Sequence, residues 1–178
     1  ASTMGLWAEE RRSGTMELLF TMPVTMMQTI VAKFLAAWLF IVLGLVLTFP
    51  IVLTTAFLGD PDMGAVVCGY IGSALMAGAY VAIGMLMSST TRSQVIGFVT
   101  ALLTCLVMLL AGFPPVTNMF AKWAPSWVVD AVASIGFTTY FQSMQRGVID
   151  VRDISYFLSI VVFSVVATHL VLNNRKSA

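Results

Sequence analysis

Charged side chains are missing from four long stretches of this chain, residues 34–59, 63–91, 93–121 and 154–174, which run for 26, 29, 29 and 21 residues. A helix that crosses the hydrocarbon layer of a bilayer needs about 20 predominantly apolar residues. Each stretch is long enough, so the chain reads as an all-α, polytopic membrane helix bundle with four spans. Composition excludes the alternative of a soluble globular protein. The chain is 59% hydrophobic and 10% charged, whereas a soluble domain carries roughly 25% charged residues. Nine basic and eight acidic side chains imply neither a nucleic-acid-binding surface nor an acidic tail, so no nucleic-acid partner is expected.

Local signals punctuate the spans. Thr25 and Gln28 have capping-box spacing, which starts the first span near Met26. It extends to about Leu58, with Pro50 expected to kink it. Gly59-Asp60-Pro61-Asp62 reverses the chain, with Asp60 expected as N-cap and Pro61 in the first helical position, and the second span ends near Met87. Thr91 and Gln94 repeat the capping-box spacing before the third span, which stops at Gly112-Phe113-Pro114-Pro115 because consecutive prolines cannot continue a helix. The last span runs from about Ile154 to Leu172. In the second span Ala74, Gly78 and Ala82 recur at intervals of four, a small-residue stripe that lets helices approach closely, whether inside one subunit, between two or as the lining of a pathway.

Residues 113–153 differ from the spans. Trp123, Trp127, Tyr140 and several Phe alternate there with Lys122, Asp130 and Arg146, and the longest uncharged run, 131–145, has 15 residues. That is short for a span and suits re-entrant or surface-lying helices at the membrane interface. With four spans, one side of the membrane collects Arg11, Arg12, Lys33, Arg92, Arg175 and Lys176, and the other only Lys122, Arg146 and Arg152. The excess of basic residues places the first set in the cytoplasm. The outer segment then caps the bundle, with Asp150, Arg152 and Asp153 above the last span and Arg146 able to pair with one of the aspartates.

Little in the chain suits catalysis. The four uncharged stretches hold no Asp or Glu, which leaves a proton-coupled carrier without its usual residues. His169 is the only histidine. A hydrolytic metal site or an intramembrane serine protease needs several converging ligands or a paired base, so no catalytic residue and no metal are assigned. Cys68 and Cys105 lie within apolar runs and define no disulfide framework. Five methionines, Met4, Met16, Met22, Met26 and Met27, read as adaptable packing against a partner in preference to copper(I) ligands. No phosphate-binding loop is present, so nucleotide chemistry belongs to another chain. The chain opens on Ala1 and is expected to lack its natural start.

The polar segment before the first span carries the strongest motif. A helix over Thr15–Met22 sets Met16, Leu19 and Phe20 on one face and Glu17 with Thr21 on another, bracketed by Gly14 and Pro23. Such a helix can dock in a partner's groove or lie on the membrane. Glu-Glu-Arg-Arg-x-Gly-Thr-x-Glu-Leu-Leu at 9–19, Pro-Val-Thr at 23–25 and Lys-Phe-Leu-Ala at 33–36 resemble the cytoplasmic loop of type-2 ABC exporter permeases. Tyr140-Phe141, the run from Arg146 to Asp153 and Tyr156-Phe157-Leu158 resemble the subgroup associated with gliding motility, itself similar to permeases of nitrous-oxide-reductase maturation. Gly5 departs from the family pattern, where a basic residue is expected.

The resemblance implies six spans per subunit, two of them N-terminal to Ala1. It implies a cytoplasmic coupling-helix segment at 1–25, three spans in 26–112, an extracytoplasmic re-entrant segment at 113–153, and the last span with a cytoplasmic tail at 154–178. The coupling positions are Glu9, Glu10, Arg11, Arg12, Gly14, Thr15, Glu17, Leu18, Leu19 and Pro23. The outer cap is Arg146, Gly147, Asp150, Arg152 and Asp153. The expected role is the membrane-spanning permease of an ATP-driven exporter in the cell inner membrane. Its expected partners are cytoplasmic ABC ATPase subunits, a second permease subunit and membrane lipid. The chain would hold no cofactor, with ATP and Mg in the ATPase. The competing expectation is a membrane scaffold or channel that recruits a cytoplasmic partner without ATP-linked transport.

Overall fold

The Thr25–Gln28 capping box forms as its spacing predicts. In a computed structural model that describes residues 25–91, 93–120 and 125–174, the Gln28 amide donates to the Thr25 hydroxyl (3.4 Å) and the Thr25 amide to the Gln28 side chain (3.1 Å). Helix α1 (Met26–Leu47) begins there. It ends at Thr48, where Pro50, lacking an N–H, cannot continue the ladder, and α2 (Phe49–Leu58) continues the same span. The Thr48 hydroxyl donates to the Leu45 carbonyl (2.6 Å) and lies 2.9 Å from the Tyr70 hydroxyl. The break is thereby tied to the next helix.

That helix, α3 (Met63–Thr90), corrects one expectation: its N-cap is Asp62, not Asp60, and Pro61 precedes the helix. The Asp62 carboxylate accepts from the amides of Gly64 (2.9 Å) and Ala65 (3.4 Å). Asp60 and Pro61 lie in the turn that follows α2, so Asp62 is the residue directly before the first helical turn, where a carboxylate reaches the free amides. The second capping box does not form. Helix α4 (Gln94–Ala111) has Ser93 as its N-cap and Gln94 as its first residue, because the Thr91 hydroxyl donates to carbonyls of Met87 and Ser93 (both 3.4 Å) and finishes α3 instead.

Gly112 ends α4 as expected. Pro114 and Pro115 then open a short helix, α5 (Pro114–Phe120), followed by α6 (Ser126–Ile135) and α7 (Phe137–Gln145). The uncharged run 131–145 is therefore divided at Gly136. Helix α8 (Val151–Asn174) starts three residues earlier than the sequence suggested.

Among the described residues the protein is all-helical, and four segments are long and apolar enough to cross a membrane: Met26–Leu58, Met63–Thr90, Gln94–Ala111 and Val151–Asn173. Helix α3 is the axis, with α1, α4, α7 and α8 packed around it. Ile30 and Ala37 of α1 meet Val81 and Met85 of α3 and Val165 and Leu172 of α8 at one end. Ala79 and Ile83 meet Phe137, Tyr140 and Met144 of α7 and Phe157 of α8 toward the other. Large apolar side chains fill these two clusters, yet many others lie on the outside. Small and hydroxyl residues such as Gly72, Gly78, Ser89 and Thr168 are buried, while Leu39, Phe40, Phe57, Leu106 and Phe163 face outward. Lipid chains are as apolar as leucine, so close approach of small residues holds such bundles together. The protein is a multi-pass membrane protein.

Candidate functional site

Of the three groups of candidate residues, the coupling positions Glu9 to Pro23 lie outside the described residues, as do Arg92, Lys122, Trp123, Arg175 and Lys176. The outer-cap residues are all described. They form the link from α7 to α8.

Helix α7 ends through its backbone. The Arg146 amide donates to the Ser143 carbonyl and the Gly147 amide to the Met144 carbonyl (both 3.1 Å). Gly147 turns the chain with φ of +80°, a left-handed conformation that glycine adopts without a Cβ penalty. A Cβ there would stand 3.4 Å from the Ala65 amide nitrogen, so the turn lies against the start of α3. Asp150 then opens α8. Its backbone carbonyl accepts from the amides of Asp153 (3.1 Å) and Ile154 (3.3 Å), and its carboxylate from the Arg152 amide (3.1 Å). Carboxylates are favoured at a helix start because free N–H groups point at them.

Side chains then fasten α7 to α8. Tyr140 and Tyr156 stack with ring centroids 3.9 Å apart, and the Arg152 guanidinium sits 5.9 Å over the Tyr140 ring. The Tyr156 hydroxyl donates to the Ile135 carbonyl at the end of α6. Asp153 is buried and accepts from the Ser143 hydroxyl. Among the described residues Arg146 forms no ion pair with Asp150 or Asp153, whose partners are the Arg152 amide and Ser143. Asp130, Thr139, Tyr140, Asp150, Arg152 and Asp153 line an open cleft of about 330 Å³ above these contacts.

Two glycine contacts set the cap on the bundle. A Cβ on Gly136 would fall 2.1 Å from the Gly112 nitrogen, so the α6–α7 corner rests backbone to backbone on the end of α4. A Cβ on Gly72 would fall 2.8 Å from the Met144 sulfur and 3.3 Å from the Phe141 ring. Deeper in the bundle the stripe meets α1. The Trp38 indole N–H donates to the Ala74 carbonyl (2.8 Å), and a Cβ on Gly78 would lie 3.2 Å from the same nitrogen. Ala74 and Gly78 thus pack within one subunit, and Ala82 is buried beyond them.

Sequence reading passed over Trp38, Ser143 and the Gly112–Gly136 contact. The usable signal for Trp38 was a lone indole in an apolar span, since its N–H must find a partner there. The arrangement can hold helices together and close one end of the bundle. Among the described residues no three His, Cys, Asp or Glu gather as a metal site, and His169 is half-buried without a hydrogen-bond partner. The family model described as ABC-2 family transporter protein matches residues 1–172. Neither the curated proteins nor the solved structures contain a match.

Proposed function

We infer that the chain, which belongs to the ABC-2 transporter family, is a non-catalytic permease component of an ABC transporter. The finer proposal is an exporter permease, driven by ATP and Mg bound in a separate ABC ATPase, that works with a second permease subunit in the cell inner membrane. Residues 9–25 are the coupling segment. Within the family, the run at 146–153 favours the subgroup associated with gliding motility.

The observation that carries this reading is the capped junction at Thr25. Two backbone-to-side-chain hydrogen bonds fix the start of α1 directly behind the motif at 9–25. Force applied to that motif by a closing ATPase then enters a helix whose first turn is closed by its own cap and whose Ile30 is packed against α3 and α8. Glu17, Leu18 and Leu19 are the residues proposed to seat in the ATPase groove. With six basic residues assigned to the same side, that end faces the cytoplasm.

The test is reconstitution of the permease with its partner ABC ATPase in vesicles. Stimulated ATP hydrolysis is expected with the unaltered permease. Glu17→Lys, or Leu18→Asp with Leu19→Asp, should leave insertion intact and remove most of the stimulation. A permease that binds the ATPase without altering hydrolysis would favour the scaffold or channel reading instead.

A further inference from the structure

We propose that Trp38 is a positioning residue through which α1 sets the outer cap, by way of α3; this rests on the exporter reading above. The indole lies about 18 Å along α1 from its capped start, and Ala74 about 17 Å from the outer start of α3, so the hydrogen bond sits near mid-membrane. No water competes for a donor there, and an indole N–H in hydrocarbon must keep its partner or lose free energy. Gly78 allows the approach: any side chain on it would meet the indole.

The same helix grips the cap six residues nearer its outer end. Met144 and Phe141 of α7 press against Gly72, and Met144 is wholly buried. The two contacts are about 9 Å apart along α3 and about a third of a turn around it. A single 28-residue helix therefore has α1 locked to one face by a hydrogen bond and α7 locked to another by close packing. Helices are stiff on this scale, so displacement of α1 at Trp38 moves the Gly72 seat and the cap with it. Gly136 joins α6 directly to α7, so α6 follows α7, and the corner's contact with Gly112 passes the movement to the end of α4.

Two measurements test the proposal on the whole permease in vesicles. A spin label is placed on the exposed α6 residue by Ser134→Cys in a background lacking Cys68 and Cys105. In the permease alone, Trp38→Phe removes the donor and keeps a ring; the mobile fraction of the label should rise at least twofold. Trp38→His, which retains a ring N–H, should restore most of the original signal, and Leu39→Ala, on the exposed face of α1, should change nothing. Gly78→Ala, whose methyl would stand 3.2 Å from the indole nitrogen and press on it, should shift the label in the same direction should Trp38→Phe insert poorly. An unchanged label in both would overturn the proposal.

The second measurement adds the ATPase with ATP and vanadate. The label should respond in the unaltered permease, and Trp38→Phe should cut that response several-fold while ATP hydrolysis persists. A full response in Trp38→Phe would also overturn the proposal. If the unaltered permease leaves the ATPase unaffected, the exporter reading fails, and the first measurement still decides the role of Trp38.

Discussion

The carboxylate of Asp153, 5% exposed, accepts a hydrogen bond from the hydroxyl of Ser143, and this contact closes α7 onto α8. A buried carboxylate with a hydroxyl partner is sensitive to the loss of that partner, because desolvation is then uncompensated. Ser143→Ala is expected to destabilise the protein by ~1–3 kcal/mol. Asp153→Asn, which still accepts a hydrogen bond, should cost less. Thermal unfolding of the detergent-solubilised protein measures both, and a larger loss in Asp153→Asn than in Ser143→Ala would assign the effect to charge in place of the hydrogen bond.

Gly136 offers a sharper steric test. A methyl group added there meets the Gly112 backbone at 2.1 and 2.3 Å, atoms that cannot rotate away as a side chain would. Gly136→Ala should cost at least about 3 kcal/mol, the upper range for overpacking, or detach the α6–α7 corner from α4. Gly59→Ala, with nothing within 4 Å, is the control. Limited proteolysis between α6 and α7 should accelerate only in the first variant.

Much of this fold can be read locally, and the exceptions share a cause. The Thr25–Gln28 cap, the break at Pro50 and the stop at Gly112 each depend on a few adjacent residues, so sequence spacing reveals them. Asp60 and Asp62 are both competent caps. Only where the turn after α2 ends selects the second. Thr91 has the right spacing to cap α4, yet its hydroxyl is held at the end of α3. The cap residues Asp150 and Asp153 could be placed above the last span, since helix starts favour carboxylates, but their partners could not. Ser143 is ten residues from Asp153, and Trp38 is 36 from Ala74. Such pairs arise from helix packing, which no local pattern encodes.

Sidedness follows from the order of the spans and can be labelled. Cysteines at Thr90 and Asn173 should react from the cytoplasm, and at Asp60 and Val148 from outside, all four being exposed, in a background without Cys68 and Cys105. Reaction of Asn173 from outside would require an odd number of crossings between Asp60 and the tail beyond the two in α3 and α4, plus α8, and would overturn the four-span arrangement.

The depth of α6 is the remaining structural expectation. At 100° per residue, Trp127, Val128, Ala131, Val132 and Ile135 fall on one arc of about 140°, and Trp127, Val132 and Ile135 are exposed. Asp130 lies off that arc and lines the cleft. Ten residues cannot cross the hydrocarbon layer, so the helix should lie along the outer interface with its apolar arc in the acyl region and Asp130 in water. An indole is well suited to that boundary, because its body is apolar and its N–H can stay hydrated. The fluorescence lost on Trp127→Phe isolates this residue from the other tryptophans. Lipids brominated high on the acyl chain should quench that component strongly, and lipids brominated near the terminal methyl should quench it weakly. Quenching by aqueous iodide alone would place α6 clear of the bilayer and remove the re-entrant arrangement.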